Sequence, residues 1–87
     1  MNDLIFDPDA FREYVEWQTE DRKTLKKIND LIDDIQRNGF MKGIGRPEPL
    51  KHIKAYSRRI DNVNRLIHTG DEKQNLHIIA CKGHYHK

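Results

Sequence analysis

Between Phe40 and Leu50 the chain reads FMKGIGRPEPL, and this stretch limits the fold more than any other. The glycines and prolines packed into it exclude a helix and a central strand, because proline fixes φ and removes a backbone donor. The segment is a loop, and it separates two halves of different periodicity.

Ahead of the loop, the apolar run Leu4-Ile5-Phe6 stops at Asp7-Pro8, which reads as an N-cap followed by proline at the first helical position. A strand therefore precedes a helix. Phe11, Tyr14, Val15 and Gln18 then follow helical spacing with Trp17 alongside, and the pattern breaks near Thr19 to Asp21. A second helix places Leu25, Ile28, Leu31, Ile32 and Ile35 on one face, with Lys26, Lys27, Asp30, Asp33 and Asp34 elsewhere. It ends near Asn38-Gly39, a favourable C-terminal pair. Helical spacing assigns Trp17, Phe11 and Leu31 to the core.

Behind the loop lie three segments of strand character, about residues 52–61, 64–69 and 76–82. Asp61-Asn62 and Gly70-Asp71-Glu72-Lys73 separate them, and such short connections imply antiparallel neighbours. The expected order is β-α-α-β-β-β: one α+β domain over residues 1–87, with a two-helix hairpin packed on a mostly antiparallel sheet.

Charge divides at nearly the same place. Residues 1–37 carry 6 Lys/Arg against 10 Asp/Glu, and residues 38–87 carry 10 against 4, so the net charge of +2 hides a basic second half. Positive potential confined to part of a small domain suits phosphate binding, although a solvated basic face has the same composition. No apolar run is long enough to span a bilayer, and the N-terminus lacks signal-peptide character, so a cytoplasmic protein without a membrane partner is expected. The single cysteine, Cys81, cannot form an internal disulfide and agrees with a reducing compartment.

Strand alternation suggests which side chains meet. Val63, Arg65 and Ile67 are expected on one face of the middle strand. Arg58 and Arg59 must point to opposite faces, so one of them accompanies Arg65. In the last strand Ile78, Ala80, Lys82 and His84 alternate onto one side. A surface could thus collect arginines from two strands, His84 from the end of a third, and Glu48 from the loop, where Pro47 and Pro49 restrict its backbone. Cutting RNA without a metal needs a base for the ribose 2′-hydroxyl, a cation for the charge growing on phosphorus, and an acid for the departing 5′-oxygen. Glu48, Arg65 and His84 suit these roles in turn.

The stretches YVEWQTEDRKTLKKINDLIDDI, GRPEPLKH, YSRRID, NRLIH and IIACKGHYHK resemble, in order and spacing, the YoeB/Txe toxins of bacterial toxin-antitoxin systems, members of the RelE-like superfamily. The likeness runs from about Leu4 to Tyr85. It implies a microbial-ribonuclease-like fold and an endoribonuclease that cuts messenger RNA in the ribosomal A site. It also implies a YefM/Axe-like antitoxin partner and a homodimer, and no metal or other cofactor. The family's base falls on Glu48, its transition-state arginine on Arg65 and its acid on His84; Lys51 and Arg59 match phosphate contacts, and Tyr85 matches a substrate-holding aromatic. The chain departs from the family pattern at Tyr56, Val63-Asn64, His68 and Lys82-Gly83. Two other readings stand beside this one. One is a binding module that grips ribosome or RNA through Lys51, Arg58, Arg59 and Arg65 without chemistry. The other is a metal site at His77, His84 and His86, with an H-x-H pair but no further ligand cluster.

Overall fold

The computed structural model describes residues 1–84. The chain forms β1 (Leu4–Phe6), α1 (Pro8–Glu20), α2 (Arg22–Asn38), β2 (Glu48–Pro49), β3 (Tyr56–Arg59), β4 (Arg65–Gly70) and β5 (Leu76–Ala80). Pro8 opens α1 as the sequence requires, although the Asp7 side chain makes no capping bond. The joint between the helices is Asp21, whose carboxylate accepts from the Lys23 and Thr24 amides at 3.0 and 3.3 Å and from the Thr24 hydroxyl at 2.9 Å. Those bonds, led by the Thr24 hydroxyl, hold its carboxyl below the usual range. They satisfy amides that would otherwise be orphaned at the start of α2.

The sheet order is β1-β5-β4-β3-β2. β3, β4 and β5 are antiparallel neighbours as expected, while β1 lies parallel to β5 with Leu4 to Phe6 opposite Leu76 to Ile78. The two-residue β2 is an addition to the expected order. It sits at the sheet edge, where the missing amide of Pro49 is tolerated. Both helices cover one face, and Ala10, Trp17, Ile28, Leu31, Ile32 and Ile35 pack against Leu66, Leu76, Ile78 and Cys81. The Trp17 indole donates to the Cys81 carbonyl at 2.9 Å. Among the described residues no helix is long and apolar enough to cross a membrane.

Three sequence expectations need correction. Phe11 is 55% exposed, beyond the cover of the three-residue β1; its ring meets that of Phe6 edge-on, with the centroids 6.1 Å apart. Val63 lies in the turn before β4 and is 60% exposed, so it shares no strand face with Arg65. The third concerns β5. Ile67 pairs with Ala80 while His68 pairs with Ile78, so an extra residue is inserted into β5 there. The bulge shifts the alternation by one. Ile78 and Cys81 both enter the core, and Ala80 and Lys82 leave the face that strict alternation would give them.

The loop after α2 is held from beneath by a buried cation. Arg58, fully enclosed, donates to the carbonyls of Gly39, Lys42 and Ile44 at 2.8, 2.6 and 3.0 Å and forms an ion pair with Asp34. Asp34 also accepts from the Ile44 amide, and the Arg58 bond is the foremost reason its carboxyl lies below the usual range. Gly43 passes so close that a Cβ there would overlap the Asp34 carboxylate. Its φ of 119° also lies where side chains are disfavoured.

Next to Arg58, His68 is buried with neither ring nitrogen hydrogen-bonded to a described residue. It lies beside Phe40 and Tyr56, whose rings stack at 4.7 Å. Burial first, and the Arg58 charge second, push its imidazole down from 6.5 to about 4. Between those values the unfolded chain binds a proton that the folded chain does not. Stability therefore falls as the pH drops through that window, by roughly 3 kcal/mol at its lower end. Melting curves at about pH 7.5 and about pH 5 should show His68→Phe losing less Tm than the unaltered protein. An equal loss in both would remove His68 from the acid sensitivity.

Candidate functional site

The candidate site is built on the sheet face turned away from the helices. Across that face, Glu48 of β2 is opposite Ser57 of β3, and Ser57 is opposite Ile67 of β4. Two residues along, Arg59 stands directly opposite Arg65. Residues facing each other across strands share a face, as do residues two apart within a strand. Glu48, Arg59 and Arg65 therefore share one surface, while Arg58 takes the opposite face. Arg58 is withdrawn from any external ligand, which removes it from the set of RNA-gripping cations considered above.

The loop that carries Glu48 is tied at several points. The Arg59 amide donates to the Gly45 carbonyl at 2.6 Å, and the Leu50 amide to the Ala55 carbonyl at 2.9 Å. Glu48 is exposed between its two prolines, and Lys51 is exposed in the bend that follows β2. Tyr56 stacks on Phe40 beneath the sheet and takes no part in this surface.

Arg65 donates from Nη1 to the Asp61 and Asn64 carbonyls at 2.7 and 3.0 Å. Like charges directly opposite in a sheet repel, so the Arg59–Arg65 pair stores a cost that an anion laid between them would relieve. Arg59→Ser is therefore expected to stabilise the free protein by about 0.5 kcal/mol while weakening any phosphate contact. Thermal unfolding of the pair of proteins checks this, and a lower Tm in the variant would contradict a repulsive pair.

On the other side of Arg65 is the segment that follows β5. The Arg65 amide donates to the Gly83 carbonyl at 3.0 Å, which puts Gly83 beside the start of β4 and His84 one residue further. Arg65 thus lies laterally between Glu48 and the Gly83-His84 segment. At about 4.8 Å per strand, the backbones of Glu48 and Gly83 are roughly 14 Å apart across the sheet. The exposed His84 side chain borders a cleft of about 680 Å³ beside the N-terminal turn of α1, with Asp7, Asp9, Glu13 and Lys82 among its walls. That acidic lining does not suit a phosphate, so this cleft and the arginine surface are separate features. Tyr85 lies outside the described residues, as does His86.

Lys82, just after β5, is bound by Glu16 at 3.1 Å and Glu20 at 2.9 Å and lies over the Trp17 ring. Its ammonium pKa is raised by Glu20 and Glu16, and it serves the helix contact. Among the described residues no three His, Cys, Asp or Glu side chains are grouped to hold a metal ion. His77, one of the three histidines considered for a metal, is paired with Asp71 at 2.7 Å.

Comparison with known proteins settles the family. A family described as "YoeB-like toxin of bacterial type II toxin-antitoxin system" matches residues 6–85. The chain belongs to the YoeB-like toxin family. Among its relatives, Toxin YoeB of Escherichia coli K12 is 42% identical over 84 residues, covering 94% of this chain and 98% of the relative. Toxin RelK of Mycobacterium tuberculosis is 43% identical over 89 residues, covering 99% of each. The YoeB dimer structure from Staphylococcus aureus superposes with a TM-score of 0.88 at 44% identity, over 95% of this chain and 97% of that one. A heterotetrameric YoeB–YefM toxin-antitoxin complex from the same organism gives 0.87 at 45% identity, with the same coverage of both chains. A YafQ chain of Escherichia coli, at 16% identity and a TM-score of 0.69, shares the fold. Sequence reasoning on the YoeB-family signature therefore reached the family and its α+β architecture.

Proposed function

We propose that this YoeB-family toxin is a ribosome-dependent endoribonuclease that cuts messenger RNA in the A site without a metal ion. The observation that carries the reading is the lateral order of Glu48, the Arg59–Arg65 pair and the Gly83-His84 segment along one part of the sheet. A phosphodiester laid over the arginines would have the Glu48 strand on one side and the segment that carries His84 on the other. Glu48 takes the proton of the 2′-hydroxyl, which attacks phosphorus; Arg65 meets the charge that develops on the phosphoryl oxygens. His84 delivers a proton to the 5′-oxygen as the P–O bond breaks, leaving a cyclic phosphate and a 5′-hydroxyl end. Arg59 and Lys51 hold flanking phosphates, and Tyr85 packs against the substrate. General acid and base catalysis each contribute roughly 10²- to 10⁴-fold to such a reaction.

A YefM-like antitoxin and a second copy of this chain are the proposed partners, by analogy with the Staphylococcus aureus assemblies. A small domain with an acidic helical half and a basic strand half, working inside the cell, fits that arrangement. The deciding experiment is a translation reaction with added toxin, in which the message ends are mapped. Cuts with 5′-hydroxyl ends that require ribosomes support the reading. A message carrying 2′-deoxyribose at the cut position should stay intact; cleavage of it would exclude attack by the 2′-hydroxyl.

A further inference from the structure

The turn between β3 and β4 holds a hydrogen-bonded hub centred on Asn64. Its side-chain carbonyl accepts from the Gly83 amide at 2.7 Å, and its amide group donates to both Asp61 carboxylate oxygens at 3.2 and 3.0 Å. Asp61 in turn accepts from the Val63 and Asn64 backbone amides at 2.8 and 2.7 Å. These bonds, led by the Asn64 side chain, hold the Asp61 carboxyl below the usual range. The Asn64 carbonyl accepts from the Ile60 amide at 3.0 Å and from the Arg65 guanidinium at 3.0 Å. Every side-chain polar atom of Asn64 is therefore engaged.

Gly83 is gripped from both ends by this hub. Its N–H goes to the Asn64 side chain and its carbonyl receives the Arg65 amide. Its φ of 75° lies in the left-handed region, with open space around the position a Cβ would take. Backbone conformation, not crowding, accounts for glycine here. Neighbouring segments that must present two reacting groups are thus fastened through one side chain.

We propose that Asn64, held by Asp61, is the positioning residue that fixes Arg65 and His84 relative to each other. The inference rests on the ribonuclease reading above for its catalytic consequence. Asn64 touches no substrate; it acts by clamping the Gly83 backbone one residue before His84 and the carbonyl that orients the Arg65 guanidinium. A displacement of about 1 Å at a reacting group is enough to cost on the order of 10²-fold in rate.

The test compares Asn64→Ala, Asn64→Asp and the exchange variant Asp61→Asn/Asn64→Asp in ribosome-dependent cleavage. Asn64→Asp keeps an acceptor for the Gly83 amide but sets two carboxylates against each other, and the exchange restores one amide and one carboxylate. Expected are a kcat loss of about 10- to 100-fold with little change in KM for both single variants, and recovery in the exchange variant. A purely structural asparagine would not give that split or that rescue. Wild-type kcat in folded Asn64→Ala overturns the proposal, as does an exchange variant no better than Asn64→Asp. If Asn64→Ala fails to fold, the second comparison decides alone. Amide hydrogen exchange at Gly83 provides a readout independent of cleavage: at least tenfold faster exchange is expected in Asn64→Asp, restored by the exchange variant. Unchanged Gly83 protection in Asn64→Asp refutes the hub even if the protein proves not to cut RNA. Absence of cutting by the wild type with Gly83 protected refutes the ribonuclease reading and leaves the clamp standing.

Discussion

Glu48→Gln is expected to lower the rate of message cleavage by at least about 10²-fold while leaving the fold intact. The side chain is exposed at the sheet edge, and its backbone register opposite Ser57 does not depend on the carboxylate. Glutamine preserves length and polarity but cannot accept the 2′-hydroxyl proton at neutral pH, so the loss should fall on kcat and not on KM. Single-turnover cleavage with saturating toxin on programmed ribosomes measures this directly. A variant cutting at the unaltered rate would remove Glu48 from the mechanism and favour the binding-module reading, in which occupancy of the ribosome is sufficient.

The second large effect concerns stability. Arg58→Leu should destabilise the protein by about 3–5 kcal/mol, because it strips a partner from Asp34 and from three loop carbonyls at once. Leucine matches the apolar part of the site but offers no donor, and a buried carbonyl without one is costly. Urea unfolding gives the value through the shift in midpoint at constant slope. Arg58→Leu combined with Asp34→Asn should lose less than the sum of the two single changes, since the residues share one network. Simple additivity would show that the ion pair contributes little and that the carbonyls bear the loss.

Both helices, the loop and the three antiparallel strands were legible from local chemistry, although the first of those strands runs only over Tyr56–Arg59 and not 52–61: proline after Asp7, apolar spacing in α2, and glycine and proline after Phe40. Arg59 as the companion of Arg65 was also legible in part, because alternation alone demands that Arg58 and Arg59 part. The sequence did not disclose which arginine turns inward. That follows from Asp34, twenty-four residues earlier, whose carboxylate is brought beneath β3 by the packing of α2. The bulge in β5 was hidden because its signature is a pairing across strands and not a residue type. Phe11 was misplaced because helical spacing gives a stripe but says nothing about how far the sheet extends under it. Within the site, Asn64 looked like an ordinary turn residue; only the return of Gly83 beside it gives its side chain a task.

The parallel pairing of β1 with β5 joins residues 4–6 to residues 76–78. A chain emerging N-terminus first therefore carries an unpaired first strand until residues 76–78 have been synthesised. Trp17 waits equally long for the Cys81 carbonyl. Closing so wide a loop belongs to the slow end of small-domain folding. The sheet that orders the arginine surface thus becomes complete only once residues 76–78 can reach residues 4–6, so the order of synthesis makes its outermost parallel pairing a late event.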